Sequence, residues 1–379
     1  MEYKKLGDIA TYINGYAFKP EQRGSEGLPI IRIQDLTGNA YDLGYYNGDY
    51  PKKVELNDGD VLISWSASLG VYLWNRGKAL LNQHIFKVVF DKVEIDKFYF
   101  MYAVEYNLDK MSLKTHGATM KHITKKDFDN VVIPYPDLDY QKEVAYRLTS
   151  LKGIIENYKK QLDLLDELVK ARFVEMFGDP VTNDMLWNTD VLKDICTKIG
   201  SGSTPRGGKE SYIDEGISLI RSMNVHNAYF EYKDLAHITL DQAEKLNNVV
   251  VEHDDLLFNI TGASVARCCV VPSDVLPARV NQHVCILRCR EKINPIFLQG
   301  LLVNENYQGK LLQIAKSGAT REAINKQQLE SLEIMIPPLE LQNQFASFVQ
   351  EIDKSRSRIQ KSLEASQELF DSLMQEYFG

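Results

Sequence analysis

The chain has 379 residues, and its 44% hydrophobic and 25% charged content is that of a globular protein with room for two or three domains. No apolar run approaches the roughly 20 residues that cross a bilayer, and MEYKKLGDIA lacks the apolar core of a secretory leader, so a cytoplasmic protein is expected. A net charge of −8 argues mildly against nucleic acid, because phosphate contacts need Lys and Arg, but a local basic surface can survive such a sum, and an acidic binder can borrow basic surface from a partner.

From the N-terminus, short apolar runs alternate with Gly, Asn and Asp turns: PIIRI from Pro29, DVLISW from Asp60, HIFKVVF from His84 and NVVIPY from Asn130. That spacing predicts a β-rich region over the first 140 or so residues. KFYFMYAVEY from Lys97 interrupts it as a short amphipathic helix. A proline-bearing segment, PYPDLDYQ, then leads into a long helix. Val144, Leu148, Leu151, Ile155, Tyr158, Leu162, Leu165 and Val169 step by fours and threes, which is a coiled-coil seam.

The same order then returns. LGDIAT matches LKDICT through Asp8 and Asp194, and PIIRI matches SLIRS through Arg32 and Arg221. LNDGDVLISW matches VEHDDLLFNI through Asp60 and Asp255, and Asn82-Gln83-His84 matches Asn281-Gln282-His283. From His116 and Ser317 onward the offset is a constant 201, shared by Gly117/Gly318, Thr119/Thr320, Ile133/Ile334, Pro136/Pro337 and Gln141/Gln342. It still holds at Phe177-Gly178 and Phe378-Gly379. The chain is a tandem duplication, with loops absorbing the changes in offset. PIFLQGLLVNENY is the second copy's short helix, and IPPLELQ leads into its long one. There Phe345, Val349, Ile352, Ile359, Leu363 and Phe370 form the seam, interrupted by Arg356 and Ser366. Each long helix should cover about 37 residues, roughly 55 Å at 1.5 Å per residue. The natural partner of one seam is the other, as an antiparallel pair, although each helix could instead pack on its own domain. The expected class is α+β, with boundaries at 1–140 and 179–341 for the β-rich domains and at 141–178 and 342–379 for the helices.

Catalytic signatures are missing. GSGSTPRGGKE, from Gly200, fails as a phosphate loop, because Ser203 stands where the first Gly belongs and Glu210 follows Lys209. IPYPD and IMIPPLE lack the polar-Pro-Pro-aromatic tetrapeptide of adenine methyltransferases, and no Gly-rich cofactor loop precedes them. His283, Cys285 and Cys289 invite a metal reading, but zinc spacings are absent. The repeat sets Phe86 and Phe90 opposite the two cysteines, so small buried hydrophobes are the better reading.

The duplicated polar triplet then needs another use. Asn and Gln can pair bidentately with adenine edges, and two similar heads can read two separated half-sites. Equally, the triplet can satisfy buried backbone groups.

Two β-rich heads, each with LxDI near its start, NQH in the middle and GxT…I…IxxPxLxxQ before a long helix, resemble the specificity subunit of type I restriction–modification systems. The resemblance covers essentially the whole chain. It implies two target recognition domains, each reading one half of a bipartite DNA target, with the helices as a ruler for the unread spacer. It implies double-stranded DNA, two methyltransferase subunits and two restriction or motor subunits as partners, and no membrane. It implies no catalysis and no cofactor in this chain, with S-adenosylmethionine, ATP and magnesium used by the partners for adenine N6 methylation or for cleavage. DNA contacts are then expected in polar and basic loops. In the first head these are Lys19, Arg23, Arg32, Gln34, Ser64, Ser66, Ser68, Asn82, Gln83, His84, Lys114, Thr119 and Lys121. In the second they are Thr204, Arg206, Lys209, Arg221, Asn224, Asn259, Thr261, Ser264, Asn281, Gln282, His283, Lys316, Thr320 and Arg321. Two other classes fit the same residues: a stand-alone methyltransferase or nuclease fragment, and a duplicated scaffold that binds protein or carbohydrate.

Overall fold

The computed structural model describes residues 2–38, 44–66, 68–114, 124–205, 207–316 and 322–379. It divides into two units, one made of residues 1–159 with 361–379 and the other of residues 160–360. Each unit therefore holds one β-rich region and a stretch of both long helices.

In the first unit, one antiparallel sheet runs in the order Thr11–Asn14, Ile85–Val89, Val61–Ser64, Gly70–Leu73. A second sheet runs Gly44–Tyr46, Leu28–Ile31, Ala79–Leu81, Glu55–Leu56, and its central pair is parallel. The second unit repeats both. Its first sheet is Cys196–Ser201, Val284–Cys289, Leu256–Asn259, Cys268–Val270. Its second is Ala236–Ile238, Ile217–Ile220, Ala278–Val280, Val250–Val251, again with a parallel central pair. The duplication read from scattered identities is thus a duplication of topology.

Strand DVLISW shows why these runs are apolar throughout. Side chains alternate across a strand. Val61 and Ile63 join the core beneath the helices, while Leu62 joins the core between the sheets. Leu256 and Phe258 part from Leu257 in the same way in the second unit. Both faces are covered, so the run has no polar positions until Ser64 or Asn259. Volume is kept across the pairs: Ile63 faces Phe86, and Phe258 faces Cys285. A small cysteine thus answers a large phenylalanine. Cys285 is buried and its thiol is pushed up to about 12 by that burial, as is Cys269. Both behave as small hydrophobes.

The repeated polar identities hold the frame. Asp60 pairs with Lys87 at 2.7 Å, and its counterpart Asp255, fully buried, takes Arg288 bidentately at 2.8 and 2.9 Å. Those same cations donate to the backbone carbonyls of Glu55 and Val250. Gln141 accepts from Asp96 N–H and donates to Pro136 O, while Gln342 does the same with Asn294 and Pro337. The shared glutamine after the proline block therefore clamps each long helix to the turn that opens the short helix.

The central helix spans Leu138–Phe177 and the C-terminal helix Leu339–Phe378, 40 residues each. In the second unit Phe173 and Phe177 pack on Phe345, Arg172 lies over Phe348, and Asp166 pairs with Arg356. Partners descend along one helix as they ascend the other, so the pair is antiparallel. In the first unit, Tyr140 and Arg147 meet Tyr377. Arg356, which breaks the apolar seam, is accommodated by that carboxylate partner on the facing helix.

Candidate nucleic-acid interface

Asn82-Gln83-His84 is the whole connection between strand Ala79–Leu81 of one sheet and strand Ile85–Val89 of the other. Asn281-Gln282-His283 makes the same crossing from Ala278–Val280 to Val284–Cys289. In both copies the Asn N–H donates to the neighbouring parallel strand, at Ile31 O and Ile220 O, each 3.1 Å away. Gly15 and Gly202 let strands Thr11–Asn14 and Cys196–Ser201 close over this corner. A Cβ on them would lie 1.9 Å from Asn82 O and 1.8 Å from Val280 O. The triplet recurs because this corner recurs. Its Asn is buried in each copy, while Gln83, His84 and Gln282 face solvent.

The corner forms one wall of a cleft. In the first unit a cleft of about 400 Å³ is lined by Arg23, Arg32, Ile33, Gln34, Thr37, Ser66, Ser68, Asn82, Gln83 and His84. Sequence positions 23 to 84 thus converge at the ends of strands Leu28–Ile31, Val61–Ser64 and Ala79–Leu81. In the second unit a cleft of about 540 Å³ occupies the equivalent corner, lined by Ser222, Met223, His226, Thr261, Gly262, Ala263, Ser264, Arg267 and His283.

The first cleft has two arginines with different jobs. Arg32 Nε pairs with Asp35 Oδ2 at 3.1 Å, and Arg32 N–H donates to the same oxygen at 2.8 Å. The Asp35 side chain is 1% exposed. Arg23 is exposed, its stem lies along Gly44, and it makes no ion pair among the described residues. His84 has φ 73°, a left-handed turn that aims the ring beside Trp65, with centroids 5.3 Å apart. In the second cleft, His283 N–H donates to Asn281 Oδ1 at 3.0 Å, and the His283 ring meets Thr261 Oγ1 at 2.6 Å. The hydroxyl of Thr204 donates to Gln282. Arg267 approaches His226, whose ring stacks on Tyr229 at 4.6 Å.

Eight of the first-head candidates therefore meet in one cleft: Arg23, Arg32, Gln34, Ser66, Ser68, Asn82, Gln83 and His84. In the second head Thr261, Ser264 and His283 do so, with Gln282 and Thr204 bonded alongside. Lys19 and Lys316 are exposed and line neither cleft, and Lys316 lies 4.0 Å from Glu322. Arg221 does not line the cleft. Its guanidinium donates to Asp234 O and lies over Tyr212.

Three candidates are corrected. Ser64, Asn224 and Asn259 are fully buried and cannot reach a ligand in this conformation. Ser64 bonds Ser66 O, Asn224 bonds the carbonyls of Glu231 and Lys233, and Asn259 those of Ser222 and Val225. They are polar because loop carbonyls turn inward at these points. Thr119, Lys121, Arg206, Thr320 and Arg321 lie outside the described residues, and of Lys114 and Lys209 only the backbone is described. The cleft residues missed in the sequence include Thr37, Met223, His226 and Arg267. Arg267 is separated by two residues from Ser264 in ASVARCC, and a basic residue entering an apolar strand was the available signal.

Comparison with known proteins agrees with the duplication. The family model described as the type I restriction modification DNA specificity domain matches twice, over residues 1–166 and 185–367. Among relatives, the type I restriction enzyme EcoBI specificity subunit of Escherichia coli is 24% identical over 94% of this chain and 80% of its own length. The MjaVIII specificity subunit of Methanocaldococcus jannaschii is 22% identical over 95% of this chain and 89% of its own. Among solved structures, the S subunit of a type I restriction–modification system from M. genitalium shares the fold, with a TM-score of 0.63 at 14% identity, covering 100% of this chain and 96% of that one. With two repeat-equivalent clefts and a family match on each half, the chain belongs to the type I restriction modification DNA specificity family.

Proposed function

We propose that this chain is the DNA sequence-recognition subunit of a type I restriction–modification complex, each unit reading one half of a bipartite target through its cleft. One observation carries the reading: two clefts stand at the same corner of a duplicated fold and carry different hydrogen-bonding side chains. The first offers Gln34, Ser66, Ser68, Gln83 and His84, and the second His226, Thr261, Ser264 and His283. Amide, hydroxyl and imidazole groups suit base edges, while Arg23 and Arg267 suit phosphate or guanine. Lys19, Lys316 and the loop candidates outside the described residues would add backbone contacts. The chain itself performs no chemistry and carries no cofactor. Methyltransferase subunits supply adenine N6 methylation from S-adenosylmethionine, and motor subunits use ATP and magnesium. Two of each assemble on this chain. The long helices would act as a ruler for the unread spacer, as the resemblance implies.

The test is methylome sequencing of cells that express the chain with a type I methyltransferase subunit. One bipartite N6-methyladenine motif that vanishes when the chain is deleted is the expected result. Methylation that persists unchanged without the chain overturns it.

A further inference from the structure

The second cleft holds an arginine with no counterpart in the first. Phe258 pairs with Cys268 as Ile63 pairs with Val71. One step further, Asn259 N–H donates to Arg267 O at 2.8 Å where Ser64 pairs with Gly70. The register therefore sets Arg267 at the place of Gly70, where the first unit has no side chain.

The surroundings of Arg267 fix its direction. Ala266, with φ 69°, makes a left-handed turn just before it, uncommon for a residue that carries a Cβ. Arg267 is half-buried, and its Nη1 donates to His226 Nδ1 at 3.4 Å. His226 is held in turn. Its Nε2 faces Met223 O at 3.2 Å and must donate there, which leaves Nδ1 to accept. Its ring stacks on Tyr229 with an interplanar angle of 14°. Asn259, fully buried, ties this loop to the arginine's strand, because its Nδ2 donates to Ser222 O and Val225 O. Arg267 lines the cleft and makes no ion pair among the described residues, so the Nε–Nη2 edge of its fork is unspent.

Such an arginine suits a base better than a phosphate. A phosphate accepts from many directions and is served by an exposed side chain without a partner, such as Arg23. Guanine offers O6 and N7 side by side in one plane, which rewards a fork oriented in advance. The rest of the cleft agrees. No carboxylate or amide side chain lines it, and both nitrogens of His226 and of His283 are engaged. Only hydroxyls remain there to accept from the amino groups of adenine or cytosine. We infer that Arg267 reads a guanine of the second half-site, gripping O6 and N7, and that His226 is its positioning residue. The inference rests on the proposed function and names one base that the second cleft takes.

The test uses the chain assembled with its methyltransferase subunit, on duplexes that carry the methylated motif. Each guanine of the second half, on either strand, is replaced singly by 7-deazaguanine, which removes N7 alone. Fluorescence anisotropy then gives the affinity of each duplex. Arg267→Ala should weaken binding of the natural duplex about 5- to 150-fold. That factor should shrink on one duplex only, the one whose 7-deazaguanine replaces the base read. His226→Phe keeps a ring on Tyr229 but loses Nδ1, and it should cut the same guanine-dependent factor without changing the melting temperature. Arg267→Lys keeps the charge and loses the fork, so it should behave as Arg267→Ala even where alanine disturbs folding. A factor equal on every duplex makes Arg267 a phosphate contact and overturns the inference. So does an undiminished affinity, or a second half-site without guanine on either strand. An unmodified complex that shows no preference for any motif overturns the proposed function instead.

Discussion

Two arginines line the first cleft, and alanine at each should fail in a different way. Arg32 covers Asp35, whose side chain is 1% exposed and whose Oδ2 takes both the Arg32 guanidinium and its N–H. Removing one partner of a buried pair costs about 3–5 kcal/mol, because the other charge is left uncompensated. Here the backbone N–H survives the substitution, and Arg32 is 22% exposed, so Arg32→Ala should cost about 3 kcal/mol. The loss belongs to the first unit. Hydrogen exchange should rise in strand Leu28–Ile31, while strand Ile217–Ile220 keeps its protection. Arg23 covers no anion among the described residues and is exposed, so Arg23→Ala should change stability by less than about 0.5 kcal/mol. What it should change is DNA binding by the assembled complex, where loss of one phosphate contact lowers the salt slope by ~0.9. Fluorescence anisotropy across a salt series reads that slope, and hydrogen-exchange mass spectrometry reads the strands. The reasoning is refuted if Arg32→Ala leaves exchange unchanged, or if Arg23→Ala loosens the fold and leaves the salt slope intact.

Asp255→Ala should destabilise the second unit by about 3 kcal/mol, since Arg288 loses its fully buried bidentate partner and keeps only Glu252 and Val250 O. Asp60→Ala, at a side chain 22% exposed, should cost the first unit less, and equal losses in a denaturant series would contradict the burial argument. Gly202→Ala should cost about 3 kcal/mol or more, because its Cβ would meet Val280 O, whereas Gly153→Ala in open space on the central helix should gain about 1 kcal/mol. Thermal melting of both variants decides, and a shift of the same sign in each would be the adverse result. Cys269 and Cys285 should resist a thiol reagent at pH 8 until the chain is denatured. Their folded values, near 12, lie above an unfolded value near 8.5. Their contribution to stability is therefore complete below about pH 8 and should fall as pH rises toward 12. Stability constant from pH 8 to 11 would exclude that burial.

The frame was legible in the sequence because its constraints are periodic or repeated. The heptad steps at Val144, Leu148, Leu151 and Ile155 became buried positions, and the identities Asp60/Asp255 and Gln141/Gln342 became clamps. The paired sheets of each unit were less visible, since a strand covered on both faces shows no alternation. Within the site, exposure was the hidden variable. Ser64 and Asn259 read as loop-end polar residues of the same kind as Ser66 and Thr261, yet the chain turns two residues later than the apolar run ends. One member of each pair bonds inward and the other lines the cleft.

That distinction changes how a duplicated binding protein should be read. Residues identical in both copies invite a functional assignment, but here most of those identities serve the frame. Asn82 and Asn281 are buried at the corner, the shared aspartates anchor cations that bond backbone carbonyls, and the shared glutamines tie helices to turns. Arg32 and Arg221 are also alike and also bonded locally, to Asp35 and to Asp234 O. Where the copies differ, the side chains face the clefts: Gln34 against Met223, Ser66 against Thr261, and Arg23 in one wall against Arg267 in the other. A frame that held two different half-sites would have to look like this, because its geometry must be kept twice while its specificity must be set twice. Grafting the first unit's Gln34 onto the second, as Met223→Gln at a position 46% exposed, should therefore leave folding intact and alter only the second half of the methylated motif. A change in the first half, or in neither, would mean that the clefts are not where the two sequences are read.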